Sequence, residues 1–195
     1  MGRNFITRSK LPNLRLEVKP IGNWQKTIRT FQQLGPAVKR ASIKAQLKVC
    51  NEIAKKVKAH LRNQDLGWKK LSPEYAQRKQ ELGLDHRILM AYGNYYHSIE
   101  VWQVGNRHMT FVGVKKGKYT QTLSGKRSSL DIATIATLHE FSRGKHFPRR
   151  PLWNPTITEI GGAAGIKKMY VNSLRYWLRK EGLPVEATIK KLGWH

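Results

Sequence analysis

Apolar side chains recur every three or four positions between residues 36 and 62, which is the strongest helical pattern in the chain. This spacing places them on one face of an α-helix. The stripe consists of Val38, Ala41, Ala45, Val49, Ile53, Val57 and Leu61. Most positions between them are polar and rich in lysine and arginine, with Glu52 as the one acid. The pattern predicts a long basic helix, and its charged face either meets solvent alone or turns toward a polyanion.

Weaker patterns lie on either side of this helix. Alternation of apolar and charged positions over residues 14 to 18 predicts a short strand, and positions 24, 28 and 31 are apolar at helical spacing. Further along, Ser72 and Pro73 are typical of a helix cap and the first helical position. A short helix is therefore predicted to run to Glu81 and to end at Gly83.

The middle of the chain shows the period of two that is typical of strands. Residues 97 to 104 and 109 to 114 predict a β-hairpin with its turn at Gly105-Asn106. Residues 115 to 129 lose this alternation and combine glycine and serine with several cations and no acid. The cations are Lys115, Lys116, Lys118, Lys126 and Arg127. We interpret this segment of about 15 residues as a mobile loop, and loops of that length are often functional.

The rest of the chain is predicted to be mainly helical. Asp131 or Ser129 caps a helix that bears apolar residues up to Phe141 and ends at Gly144. Prolines 148 and 151 exclude a helix over residues 147 to 153, so that segment is expected to be extended.

A further helix is predicted over residues 157 to 180. Gly161-Gly162 is a weak point near its start because glycine is a poor helix former. Residues 184 to 195 add one more helical turn. These elements indicate an α+β fold, in which a small antiparallel β-sheet packs against several α-helices, including the long basic one.

The length of 195 residues suits a single domain spanning residues 1 to 195. Within it we distinguish a core over residues 67 to 153, which carries the motifs described below, and a helical C-terminal extension over residues 157 to 195.

Charge is the first indication of function. Lys and Arg number 37 against 12 Asp and Glu, a formal net charge of +25. Self-repulsion on this scale destabilises a compact monomer, so we expect an acidic partner: nucleic acid, an anionic membrane or an acidic protein surface.

No apolar run approaches the roughly 18 residues of a membrane span, so we expect a soluble protein without a membrane partner. Cys50 stands alone and is interpreted as a small buried hydrophobe rather than a reactive thiol.

Candidate catalytic groups are sparse. His139-Glu140 with His146 is the nearest approach to a metal or acid–base group, but adjacent helical residues point about 100° apart. A structural role for His139 is the preferred interpretation. The acids are scattered singly, and the glycine-rich stretch at residues 161 to 165 lacks the lysine and hydroxyl residue of a phosphate-binding loop. We expect no catalytic residue, metal, cofactor or small-molecule substrate.

A series of short motifs runs through the middle of the chain in a fixed order. In sequence they are Gly67-Trp68-x-x-Leu71-Ser72-Pro73, Arg87-Ile88-Leu89-x-x-x-Gly93-x-x-x-x-Ser98-Ile99, a hairpin with Val112-Gly113, a helix ending in His139-Glu140-Phe141, and Pro148-x-Arg150-Pro151-Leu152. The series resembles the virion-morphogenesis family of tailed phages, which includes head–tail joining, neck and tail-completion proteins. The resemblance covers residues 67 to 153.

The resemblance implies a structural protein without enzymatic activity. In that family the expected assembly is a homo-oligomeric ring, commonly six- or twelvefold, between the capsid portal or connector and the tail tube or tail terminator. Its expected place is the virion neck, after assembly in the host cytoplasm. Packaged double-stranded DNA would pass through the ring. The motif residues that would carry the structure are Trp68, Leu71, Pro73, Gly93, Ser98, His139, Glu140, Phe141, Pro148, Arg150 and Pro151.

Two contacts are expected on physical grounds. Arg150, between two prolines, is expected either to form a bidentate pair with a carboxylate such as Glu140 or to remain solvated. The cations of residues 115 to 127 are expected to face DNA, which they would hold through counterion release without reading sequence, or acidic surfaces of portal or tail proteins. The alternative to a neck protein is a non-specific basic nucleic-acid-binding protein, which explains the charge but not the ordered motifs.

Overall fold

The computed structural model describes residues 35–105, 109–122, 124–142, 148–191 and 193. The strand predicted at residues 14 to 18 and the helical spacing at residues 24 to 31 lie outside these ranges. So do Asn106 of the predicted turn, the helix stop at Gly144, and His146.

The long basic helix is confirmed as α1, Gly35–Asn63. Its predicted apolar stripe is buried, and its lysines and arginines lie largely at the surface. α1 packs against a second long helix, α6, which spans Gly162–Lys180, and against both strands of the first hairpin. The Ser42 and Tyr170 hydroxyls share a buried hydrogen bond of 2.8 Å between the two helices.

The next two helices are short. α2 spans Pro73–Glu81, and the Ser72 hydroxyl accepts a hydrogen bond from the Tyr75 backbone nitrogen, so the predicted cap is confirmed. α3 spans Asn94–Ser98 and follows Gly93, whose φ of 68° is left-handed. The predicted strand over residues 97 to 104 therefore started too early. Ser98 ends α3, with its hydroxyl donating to the Tyr95 carbonyl oxygen at 2.8 Å.

The first hairpin is confirmed, with β1 over Ile99–Val104 antiparallel to β2 over Met109–Val114. The predicted mobile loop at residues 115 to 129 is wrong, because it contains a second antiparallel pair, β3 over Tyr119–Gln121 and β4 over Arg127–Asp131. A tight turn joins these strands: the Thr122 nitrogen donates to the Lys126 carbonyl at 2.8 Å, and Gly125 has a φ of 78°.

Helix α4 spans Ile132–Phe141 and is capped by Asp131, whose carboxylate accepts from the Thr134 nitrogen at 2.7 Å. Of the two residues predicted as caps, Asp131 and Ser129, the cap is therefore Asp131. The chain is then non-helical from Pro148 to Leu152, as predicted, although Trp153 already belongs to the next helix.

The predicted helix over residues 157 to 180 is two helices. α5 spans Trp153–Glu159 and α6 begins at Gly162, with Gly161 at a φ of 94° between them. A Cβ at Gly165 would lie 1.8 Å from the Ile160 carbonyl oxygen, so the two helices approach too closely for any other residue there. The predicted final turn is α7, Val185–Lys191.

The architecture is α+β, as predicted, with small antiparallel sheets packed against helices that include the long basic α1. The core lies between α1, α6 and the inward side of the first hairpin, where Ile99 and Leu174 are buried. Among the described residues, no helix has the length and apolar character needed to span a bilayer.

Candidate functional site

Residues from three of the sequence motifs meet around the segment at residues 148 to 152. The Trp68 indole nitrogen donates to the Pro151 carbonyl oxygen at 2.8 Å. The Arg150 guanidinium donates to the Lys69 carbonyl oxygen at 3.3 and 3.4 Å, and the Arg150 backbone nitrogen donates to the His139 carbonyl at 2.8 Å. We call Trp68, His139, Glu140, Arg150 and Pro151 the motif cluster; its contacts hold this segment from two sides.

Both alternatives expected for Arg150 are wrong, because its side chain is buried instead of solvated and it does not pair with Glu140. The Glu140 carboxylate, only 3% exposed, accepts instead from the backbone nitrogens of Leu152, Trp153 and Asn154 at 2.7, 3.0 and 2.8 Å. The first N–H groups of a helix have no intrahelical partner and attract a negative charge. Glu140 therefore caps α5, and Arg150 uses a backbone carbonyl instead of a carboxylate.

Sequence reasoning missed Lys79. It lies on α2, a helix that is otherwise exposed, yet its side chain is only 1% exposed and its ammonium donates to the Arg87 carbonyl oxygen at 2.8 Å. Burial lowers the pKa of Lys79, and the nearby positive charge of Arg150 acts in the same direction, against the attraction of Asp85. A lysine in a polar helix gives no signal of such burial.

His139 has the structural surroundings that the sequence suggested. It is buried at the end of α4, one of its ring nitrogens lies 3.3 Å from the Pro148 carbonyl oxygen, and burial lowers its pKa. Within the described ranges, no three His, Cys, Asp or Glu residues are grouped so that they could hold a metal ion.

The other motif residues are spread around this cluster. Leu71 is half-buried, Pro73 opens α2, Gly93 and Ser98 bound α3, and Phe141 is 43% exposed at the end of α4. A Cβ at Gly93 would lie 3.3 Å from the His97 ring, so this position favours glycine for space as well as for its φ.

The five predicted anion-binding cations all lie on or beside the second hairpin, but they are not equivalent. The ammoniums of Lys115 and Lys118 both bind Glu100 of β1. Hydrogen bonds from Lys118 and Lys115 lower the pKa of that carboxyl. Lys115 also lies 5.3 Å from the centre of the Trp102 ring. These two cations are therefore partly neutralised, which the sequence did not indicate.

The remaining three cations are more open. The Arg127 guanidinium stacks 3.8 Å from the centre of the exposed Tyr119 ring. Lys116 and Lys126 are exposed at the two ends of the hairpin. The side chains that the second hairpin offers a partner are therefore mainly cationic, with one stacked cation–aromatic pair.

Comparisons with known proteins found no relative of this chain. No protein-family model, no curated protein and no solved structure matches the chain. The function must therefore be argued from the residues and their geometry.

Proposed function

We propose that this chain is a structural protein of a tailed-phage neck, forming a ring that joins the capsid portal to the tail and lets DNA pass. The proposal starts from the order of the sequence motifs. Its main structural support is the motif cluster: residues far apart in the chain meet in one buried arrangement whose contacts run mainly to backbone groups. Trp68 reaches Pro151 across 83 positions, and Arg150 reaches Lys69 across 81.

Such an arrangement suits a mechanical role. The polar side chains of the cluster are buried and occupied, so they fix the path of the chain instead of meeting a substrate. A cyclic ring needs two different faces on each subunit, one for each neighbour. A rigid subunit keeps those two faces at the constant angle that ring closure demands.

The electrostatic part of the proposal concerns the second hairpin. Lys116, Lys126 and Arg127 present exposed charge to the DNA in the channel, or to acidic surfaces of the portal and tail proteins. Contacts to phosphates release counterions, so they hold DNA of any sequence and weaken as salt rises. That behaviour suits a channel through which a whole genome moves.

A non-specific nucleic-acid-binding protein is the second candidate, and the net charge of +25 favours it. The two candidates differ in assembly. A neck protein forms a closed ring, whereas the alternative requires only a monomer on nucleic acid.

Native mass spectrometry of the full chain, after nuclease treatment and at several concentrations, tests the proposal. We expect one discrete multiple of the 22.5 kDa subunit, commonly six or twelve copies by the family resemblance. A protein that stays monomeric at every concentration, both alone and with the portal or tail protein of its phage, contradicts the proposal.

A further inference from the structure

A second cationic surface lies away from the hairpins, on the helix pair α1 and α6. Tyr176 of α6 is 47% exposed, the highest value among the large hydrophobic side chains found at the described surface. The Lys48 ammonium of α1 lies 5.6 Å from the centre of its ring, and the Lys180 ammonium of α6 lies 5.8 Å from it. An exposed aromatic ring thus lies within reach of two cations.

Helix α6 directs the Tyr176 ring away from the core. Leu174 and Leu178, two positions before and after Tyr176, are fully buried against the core, so Tyr176 points away from it. The Trp177 and Tyr176 rings are nearly perpendicular, with centres 5.1 Å apart and planes at 82°. The ring is therefore supported on one side by a second aromatic side chain.

Two of the cations on these helices bind a carboxylate, whereas two others contact the ring and are available to a ligand. Arg40 and Lys44 both bind Glu181, and hydrogen bonds from these two residues lower the pKa of its carboxyl. Lys48 and Lys180 contact the aromatic ring instead. An ammonium over an exposed ring is held weakly and moves easily to a phosphate.

We infer that Lys48, Tyr176 and Lys180 form a binding site for single-stranded nucleic acid. One base stacks on the Tyr176 ring, and the two ammoniums move from the ring to the phosphates on either side of that base. The exchange gives up two weak cation–aromatic contacts and gains one stacked base and two ammonium–phosphate contacts, so it favours the bound state.

This site goes beyond the proposed neck function and uses none of its residues. An acidic protein segment would also be attracted to Lys48 and Lys180. The exposed ring favours nucleic acid, because a carboxylate gains nothing from the face of an aromatic ring, whereas every base has a face that stacks on it.

The test is fluorescence anisotropy of a labelled 20-nucleotide oligothymidine titrated with the full chain at several salt concentrations. Tyr176→Ala is expected to weaken binding about tenfold, and Tyr176→Trp to retain it. The double variant Lys48→Gln/Lys180→Gln is expected to weaken binding and to reduce the salt slope by about 1.4, because each phosphate that a lysine no longer neutralises reduces it by about 0.7.

The matched control is Lys55→Gln/Lys168→Gln, which removes the same charge from exposed positions of the same two helices. Circular dichroism of each variant establishes that the fold is kept. The inference is overturned if the control weakens binding as much as the test pair, if Tyr176→Ala binds like the wild type, or if polyglutamate competes as well as unlabelled oligothymidine. Mass spectra of the same variants keep this result separate from the neck proposal, since that proposal assigns no role to Tyr176 and is tested by the oligomeric state alone.

Discussion

The Glu140 carboxylate lies 2.7 Å from the backbone nitrogen of Leu152 and accepts its hydrogen bond. The same carboxylate accepts from the next two backbone nitrogens, so a single buried acid joins the end of α4 to the start of α5. The non-helical segment at residues 148 to 152 lies between these two helix ends. Glu140 is thus the residue on which the geometry of the motif cluster depends most.

Glu140→Ala is expected to lower the free energy of unfolding by about 3 kcal/mol, because it leaves three N–H groups at the start of α5, the buried one of Leu152 among them, without their acceptor. Glu140→Gln keeps one good acceptor and should lose less. Urea unfolding followed by circular dichroism measures both. Glu52→Gln, on the exposed face of α1, is the control and should change stability by less than about 0.5 kcal/mol. Equal losses for Glu140→Ala and the control would contradict this role for Glu140.

The burial of Lys79 predicts that the free energy of unfolding depends on pH in the alkaline range. Its pKa in the folded protein lies below the ordinary value of 10.5 because the charge is buried. Between the folded and unfolded pKa values the unfolded chain binds more protons, so the free energy of unfolding rises with pH across that window. Lys79→Met removes this rise. The stability of the variant relative to wild type should therefore decrease as pH approaches 10.5.

Chemical unfolding of wild type and Lys79→Met from pH 7 to pH 10 measures this difference. Burial raises the pKa values of Tyr95 and Tyr170, so these two tyrosines lower the free energy of unfolding as pH rises. Subtracting the free energies of the two proteins at each pH cancels this contribution. Lys79→Ala is the companion variant and should be less stable than Lys79→Met at every pH, because it adds a cavity. A difference between Lys79→Met and wild type that does not change with pH would count against a charged, buried Lys79.

His139 predicts sensitivity to acid. Burial lowers its pKa below 6.5. As pH falls below 6.5, His139 therefore binds a proton in the unfolded chain before it does so in the folded protein. Stability contributed by neutral His139 is present above pH 6.5 and is lost as pH falls from 6.5 through the lower pKa of the folded protein. His139→Gln should flatten this part of the stability curve, whereas His86→Gln, at an exposed position, should leave it unchanged. Parallel curves for wild type and His139→Gln would show that His139 does not contribute.

Substitution of Glu100 is expected to strengthen DNA binding. Glu100→Gln releases the ammoniums of Lys115 and Lys118, so DNA binding should strengthen at low salt. The plot of log affinity against log salt should steepen by about 0.9 for each lysine that then contacts a phosphate. Anisotropy with a labelled DNA duplex measures this slope. Glu52→Gln makes the same change of charge on α1, and an equal gain from both variants would mean that the second hairpin has no special role.

Local signals in the sequence predicted much of the fold. The stripe from Val38 to Leu61 predicted α1. Ser72 predicted the start of α2, and the choice of Asp131 or Ser129 placed the start of α4 to within two residues, because caps and apolar periodicity act over short distances. The weak point at Gly161-Gly162 marked the place where the predicted helix divides in two.

Contacts between distant residues were predicted less well. Arg127, Ser128 and Ser129 have little preference for strands, and only their pairing with residues 119 to 121 makes them β4. The attraction of opposite charges predicts a pair between Arg150 and a carboxylate such as Glu140, but three N–H groups at the start of α5 compete for that carboxylate. The burial of Lys79 and the sharing of Glu100 by two lysines likewise depend on tertiary structure.

The most direct test of the central claim is cryo-electron microscopy of the particles made by a tailed phage that encodes this chain. The account predicts a closed ring of subunits between portal and tail tube, with density that fits α1, α6 and the two hairpins. Particles that lack the chain, combined with a purified protein that is a monomer bound to nucleic acid, would contradict the claim and leave the non-specific nucleic-acid-binding protein in its place.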